Sequence, residues 1–263
     1  MRAWRWIPLE IHNGYWNMAI DEAIIASRAT KLVPNTLRFY QWKPSAVSIG
    51  RNQNPQEQVY MDSLRDRGFD LVRRTSGGGT VYHDEHGELT YSVTAQIHDL
   101  GKDITEIYVN ICESINDALR LLGISADYCS GNQRNCPNLM IRGKKISGNA
   151  QTIRHGIIQQ HGTLLLRVNF ALMFRLLRVS FTKDCSLAAQ VAQRKITSIE
   201  NELDHTVSAE TAQNALIQGF KNILKIQIDR RALTHYEKAL AMKLYKEKYS
   251  YSEWNSAGRL NPS

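Results

Sequence analysis

"FDLVRRTSGGGTVYHDEHGELTYSVTAQI", residues 69–97, decides how this chain folds. Its opening "FDLVRR" reads as a short strand, and "LTYSVTAQI" alternates apolar and polar residues as a half-buried strand does. Between them lie three adjacent glycines, followed by a His-Asp pair. The glycine run matches neither GxGxxG nor GxxxxGK[ST], so a dinucleotide fold and a P-loop are both poor fits. A tight hairpin explains the glycines; so does a ligand lying against bare backbone, which glycine alone permits.

Working outward, "NMAIDEAIIASRA" (17–29) has helical periodicity behind Asn13 and Gly14, and "NTLRFYQW" and "SAVSIG" read as strands joined by "KPS". "QEQVYMDSLRDRG" predicts one helix ending at Gly68, and 103–123 a long helix opened by Asp103 and closed by Gly123. "LMIRGKKISGNAQTIRHGIIQQHGTLLLRV" resembles two or three strands joined by glycine turns. From about residue 170 helical patterns dominate. Helices and strands mix without a strict βαβ alternation, which predicts an α+β class with a mixed, mostly antiparallel sheet flanked by helices.

Composition narrows the function. With 263 residues, 43% of them hydrophobic, the chain can bury a substantial core, and no apolar run is long enough to span a membrane. The N-terminal "MRAWRWIPLEIHNG" carries charges and a proline, unlike a signal peptide, so a cytoplasmic protein is expected. The net charge of +8 is spread rather than blocked, which favours an acidic protein or an anionic small molecule over nucleic acid. Cys112, Cys129, Cys136 and Cys185 form no CxxC pair, so a structural zinc site is not expected.

Three stretches carry chemistry. Exposed amides at Gly77, Gly78 and Gly79, with Arg73 and Arg74 just before them, suit an anion, and His83 and Asp84 can orient a polar ligand atom. Neighbouring strand residues point oppositely, so only one of the two arginines is expected to face a ligand. In "IRGKKISGNAQ" (141–151) a lysine pair lies among apolar residues, and a pocketed Lys145 implies an anionic group nearby; an exposed hairpin is the plainer explanation. His161 in "QQHGTLLL" is by itself an ordinary structural histidine.

Taken together, "MAIDEAI", "AVSIGRNQ", "RRTSGGGTVYHD", "GELTYS", "GKKISGNAQ", "HGTLLL" and "KYSYSEWN" resemble the lipoate-protein ligase catalytic domain, within the biotin/lipoate ligase and octanoyltransferase superfamily. The resemblance spans nearly the whole chain. It implies a biotin/lipoate ligase-like fold with a class II synthetase-like core. One catalytic domain over 1–263 is expected, and as a departure from many bacterial ligases no accessory C-terminal domain is expected after "SEWN". The resemblance also implies ATP and Mg²⁺ as cofactors and lipoate as substrate, activated to lipoyl-AMP and passed to a lysine of a lipoyl carrier domain. Carriers of the 2-oxoacid dehydrogenase E2 or glycine cleavage H protein type are the implied partners, with a small accessory subunit as an option for the activation step.

Carried over to this sequence, the resemblance makes Lys145 the catalytic residue. Arg73 or Arg74 would lie near the phosphates, with Ser76, Gly77, Gly78, Gly79, Val81, His83 and Asp84 forming the lipoyl and phosphate site. Ser147, Gly148, Asn149 and Ala150, with His161, Gly162 and Thr163, would frame the adenylate. One departure opens an alternative. "RNCPNLMI" places Cys136 where many ligases carry an Asn-Asp pair, and related octanoyltransferases form a thioester on a cysteine in this loop. Those transferases tend to replace the third glycine by arginine, whereas Gly79 is kept here. The ATP-dependent ligase is therefore the leading expectation, the octanoyltransferase the alternative, and a non-catalytic lipoyl-binding module the remote third.

Overall fold

A computed structural model describes residues 4–129 and 138–259. The chain opens on strand β1 (Trp4–His12) and helix α1 (Gly14–Ala29), then strands β2 (Asn35–Trp42) and β3 (Ala46–Ile49). Two short helices, α2 (Pro55–Gln58) and α3 (Met61–Asp66), lead to β4 (Asp70–Arg73), β5 (Val81–His83) and β6 (Glu88–Gln96). Helix α4 (Ile104–Leu121) precedes β7 (Asp127–Cys129), β8 (Asn138–Ile141), β9 (Lys144–Arg154) and β10 (Ile157–Leu165). The remainder is α5 (Phe170–Leu176), α6 (Cys185–Gln193), α7 (Ile199–Leu203), α8 (Ala209–Leu224), β11 (Ile228–Arg230), α9 (His235–Leu244) and α10 (Ser252–Ala257).

Eight strands form one sheet in the order β11-β1-β2-β6-β10-β9-β8-β7, and β4-β3-β5 form a second, smaller one. In the large sheet the β11–β1 and β1–β2 pairs are parallel and the other five are antiparallel. The expected α+β class with a mixed, mostly antiparallel sheet is therefore observed. No described helix is long and apolar enough to cross a membrane.

Period-two alternation assigns the two faces of the large sheet. Leu37 and Phe39 of β2, with Tyr91 and Val93 of β6, enter a core beneath α4 and α8. On α4 the buried Ile107, Ile111, Ile115 and Leu119 recur every four residues and form the apolar stripe of that core. Each such side chain stabilises the fold by about 1.5–3 kcal/mol. The opposite face carries Arg38, Tyr40 and Trp42 toward α1, where Met18, Ile20 and Ile24 pack. This second face is half polar, and it holds the site.

Local signals act much as read. Asn13 caps α1 by accepting from the Trp16 amide at 2.8 Å, and Asp103 caps α4 by accepting from Glu106 at 2.8 Å. The single helix expected to end at Gly68 is instead two, α2 and α3. Val59, between them, forms a β-bridge with Leu177, and the Tyr60 amide donates to Leu176 O at 2.8 Å. A long-range pairing overrides the local helical pattern there.

Candidate active site

A cavity of about 290 Å³ opens between the polar face of the large sheet and the small sheet. Its apolar wall comes from Met18 on α1, Trp42 on β2, Met173 and Phe174 on α5, then Leu177 and Ile196. Polar groups gather at the end of β4, along β5 and where β9 meets β10.

Of the residues expected to form the site, Arg74, Gly78, Gly79, Val81, His83, Lys145, Gly148, Asn149, Ala150, His161, Gly162 and Thr163 line this one cavity. Arg73, Ser76, Gly77, Asp84 and Ser147 are not on its wall. Ser76 lies one hydrogen bond behind it, its Oγ 2.7 Å from His161 Nε2. Asp84 accepts from Tyr82 Oη at 3.3 Å and from the His86 amide at 2.9 Å, shaping the turn into β6. Ser147 is buried beside Ile146. Cys136 lies outside the described residues. Neither Cys112 nor Cys185 lines the cavity, and burial pushes the Cys112 thiol up to about 12.

The two arginines do point oppositely. Arg73 faces the C-terminal segment: its guanidinium donates to Trp254 O at 2.9 Å, Asn255 O at 3.1 Å, Ser256 O at 2.7 Å, Arg51 O at 3.0 Å and Gln53 O at 2.7 Å. Arg74 faces the cavity. It donates from Nη1 to Ser48 O at 3.0 Å and Ser48 Oγ at 2.8 Å, and from Nη2 to Gly77 O at 2.9 Å and Gly79 O at 2.8 Å. Its Nε reaches Ser76 Oγ at 3.4 Å.

Lys145 sits at the start of β9, held by an irregularity in the β8–β9 register. Its amide donates to Lys195 O at 2.8 Å and its carbonyl accepts from Thr197 at 2.9 Å. The ammonium lies over Gly148: a Cβ there would fall within 2.5 Å of Lys145 Cε and closer still to Nζ. Glycine at 148 is thus what lets the ammonium occupy this place. Gly78 adopts φ +90, with Ala150 Cβ only 3.7 Å from where its own Cβ would stand, so the glycine turn and the β9 motif meet.

Behind the cavity lies a buried polar cluster. Arg38 donates to Asp21 Oδ1 at 2.8 Å and to Asn17 Oδ1 at 2.7 Å, while Tyr40 Oη donates to Asp21 Oδ2 at 3.1 Å. His161 Nδ1 stands 3.5 Å from Asp21 Oδ2. Burial alone would raise Asp21, but hydrogen bonds and charge from His161 and Arg38 outweigh it, and its pKa is lowered. Burial lowers the pKa of His161, helped by the nearby Arg74 and His83 and opposed by Asp21. A second chain runs from Ser48 Oγ to His83 Nε2 at 2.7 Å and from His83 Nδ1 to Glu88 Oε1 at 2.6 Å. Trp42 stacks on His83 with centroids 3.9 Å apart and donates from Nε1 to Thr90 Oγ1 at 2.8 Å.

Sequence reasoning did not single out Asp21, Arg38, Ser48 or Glu88 for a role. One signal was available. Asn17, Asp21 and Ile24 share a stripe on α1, so the carboxylate falls among residues whose spacing points inward.

This fold, with an apolar slot ending at a lysine, an arginine-held glycine turn and small residues, defines an acyl-handling enzyme of the lipoate ligase and octanoyltransferase class. The chain belongs to the lipoyl protein ligase A/B catalytic domain family, whose model matches residues 13–221. Octanoyltransferase LipM of Symbiobacterium thermophilum is 34% identical, covering 96% of this chain and 97% of its own length. The protein of the same name from Brevibacillus brevis is 32% identical, covering 97% and 99%. Among solved structures, the bi-partite lipoate protein ligase described with its E2 lipoyl domain from Thermoplasma acidophilum superposes with TM-score 0.85 at 29% identity, covering 100% of this chain and 99% of its own. A lipoate-protein ligase A described as bound with ATP gives TM-score 0.83 at 31% identity, covering 97% and 99%.

These relatives correct the leading expectation of an ATP-dependent lipoate ligase. Curated proteins matching nearly end to end, at 31–34% identity, carry the octanoyltransferase name, which favours the alternative reading. Among the described residues no three His, Cys, Asp or Glu side chains converge on an ion position, and Arg74, one of the two arginines expected near phosphates, donates to five protein oxygens.

Proposed function

We propose that this chain moves an octanoyl group from a thioester on acyl carrier protein to a lysine amine of a lipoyl carrier domain, with Cys136 as the intermediate acceptor. The observation that carries the reading is the near full-length match to octanoyltransferases. The cavity supports it: an apolar slot for a short unbranched chain ends at Lys145 and the glycine turn.

In the first half-reaction the Cys136 thiolate attacks the thioester carbonyl carbon. Negative charge grows on the carbonyl oxygen, and the Lys145 ammonium together with backbone amides of the glycine turn would stabilise it. Collapse expels the donor thiolate and leaves the acyl group on Cys136. In the second half the carrier lysine attacks as a free amine. Collapse forms the amide and returns the sulfur, which takes the proton the nitrogen gives up. Thioester exchange followed by aminolysis needs no nucleotide. The role of Cys136 rests on its place in the sequence, two residues before β8, where Asn138 pairs with Gly148.

The test combines octanoyl-acyl carrier protein, an apo lipoyl domain and the protein without ATP, read by intact mass. The expected result is an octanoylated domain and, when the acceptor is omitted, an acylated enzyme, both lost in Cys136→Ala. Modification that requires ATP and free acid, and survives Cys136→Ala, would overturn the reading.

A further inference from the structure

Two chains of buried groups converge on Arg74, and neither is assigned a role in the acyl transfer described above. One runs Glu88–His83–Ser48, the other Asp21–His161–Ser76. We propose that His83 and His161 are positioning residues, held as neutral imidazoles protonated at Nδ1, which act through the two serines to lock Arg74 onto the glycine turn. The consequence for turnover rests on the octanoyl-transfer reading; the protonation pattern does not.

Hydrogen-bond bookkeeping fixes the protons. A guanidinium has five N–H donors and no acceptor, and the five of Arg74 reach Ser48 O, Ser48 Oγ, Gly77 O, Gly79 O and Ser76 Oγ. Each serine oxygen therefore accepts from Arg74 and must direct its own O–H elsewhere. In each case a histidine Nε2 stands 2.7 Å away while Nδ1 faces a carboxylate oxygen, which can only accept, so in a neutral ring Nε2 presents the lone pair. The ring proton then sits on Nδ1, facing Glu88 Oε1 in one chain and Asp21 Oδ2 in the other. An imidazolium would reverse this: its Nε2–H would turn to the serine oxygen, and the hydroxyl proton would lose Nε2 as its acceptor. Formal charge agrees. Arg38 and Arg74 balance Asp21 and Glu88, and a protonated ring would add a buried charge with no counterpart in the cluster.

The locked arginine sets the direction of the glycine turn. Gly77 O and Gly79 O are drawn to the guanidinium, and in a planar trans peptide the following N–H points the opposite way. The amides of Gly78 and Thr80 are thus turned from Arg74, both residues line the cavity, and among the described residues neither amide donates to a protein acceptor. They are arranged to receive an oxyanion.

Glutamine and leucine variants separate positioning from proton transfer. Glutamine can accept from serine through Oε1 and donate to the carboxylate through Nε2, as the neutral ring does, but cannot carry a proton across. The leucine variants His83→Leu and His161→Leu are expected to lose roughly 10²-fold in kcat, with KM for the octanoyl donor nearly unchanged, the scale of losing one oxyanion donor. His83→Gln and His161→Gln are expected to recover all but about a threefold loss, the scale of one imperfect hydrogen bond. Ring-labelled ¹⁵N-histidine spectra of the wild type are expected to show Nδ1 protonated and Nε2 bare for both residues at neutral pH. Glutamine variants as inactive as leucine, leucine variants as active as wild type, or protonated Nε2 in the spectra would each overturn the proposal. Should the leucine variants not fold, the spectra and the glutamine variants decide it. Should the wild type move no octanoyl group at all, the reaction reading fails while the spectra still decide the tautomers.

Discussion

Arg73 and Arg74 are consecutive residues at the end of one strand, both nearly inaccessible, and they organise different regions of the molecule. Arg73 gathers backbone carbonyls from the loop after β3 and from α10, fastening the C-terminal segment to the small sheet. Trp254 answers by donating from Nε1 to Arg73 O at 3.1 Å. A second fastening, the buried Arg5–Glu237 pair, ties α9 to β1, with Thr234 and Glu237 completing a capping box. Arg74, by contrast, grips a turn whose purpose is to leave amides available. The difference is one of endpoints. The first region saturates its polar groups against other backbone, which fixes structure; the second uses the same guanidinium chemistry to keep donors unspent beside a cavity.

The sharpest way to separate the two regions is to remove the cation that belongs only to the second. Lys145→Ala should lower kcat by about 10²–10³, as loss of a preorganised oxyanion partner does, while leaving the melting temperature near that of wild type. Turnover close to wild type would assign the oxyanion role elsewhere. Arg73→Ala should do the reverse. Deleting a side chain that satisfies several buried carbonyls should cost about 3 kcal/mol of unfolding free energy, read by urea titration, with kcat per folded molecule little changed. A large kcat loss in the folded protein would mean that the C-terminal fastening reaches the site.

Gly148→Ala sharpens the comparison inside the cavity. The added methyl meets the far end of a flexible lysine, so the fold should lose little while the ammonium is displaced from its place above β9. The expected result is about a tenfold fall in kcat, equivalent to about 1.4 kcal/mol of transition-state stabilisation, at unchanged thermal stability. Unchanged kcat would show that the ammonium acts from a position other than the one described.

Much of this was legible in the sequence because it is local. Strand alternation in "LTYSVTAQI", the caps at Asn13 and Asp103, and the glycine and lysine motifs each reflect chemistry within a few residues. What was not legible depends on distant partners. The break between α2 and α3 needs Leu176 and Leu177, more than a hundred residues away. Strand β1 went unread because its burial is irregular along the strand and its register shifts between Ile7 and Glu10. The choice between the two arginines follows alternation, yet which one faces the cavity is set by α10. Asp21 and Glu88 acquire their roles only when α1 and β6 bring them to His161 on β10 and His83 on β5.

The smallest expected effect concerns His161, faced by Asp21 from α1, Arg38 and Tyr40 from β2, Arg74 from the end of β4 and His83 from β5. Its pKa is lowered in the fold, chiefly by burial, so below the ordinary histidine value of about 6.5 the unfolded chain binds a proton that the native state resists. Its contribution to stability is therefore complete above about pH 6.5 and is lost as pH falls from there through the folded pKa. One such group can contribute a slope of at most about 1.4 kcal/mol per pH unit. Urea midpoints at pH 7, 6 and 5 should fall more steeply for wild type than for His161→Gln, which has no proton to gain. Parallel curves would mean that the imidazole is as easily protonated inside the fold as outside it, and the neutral relay to Ser76 could not hold Arg74 at pH 6. Asp21, lowered against its burial by hydrogen bonds and charge from His161 and Arg38, adds its own loss only below about pH 4, so the two contributions separate along the pH axis.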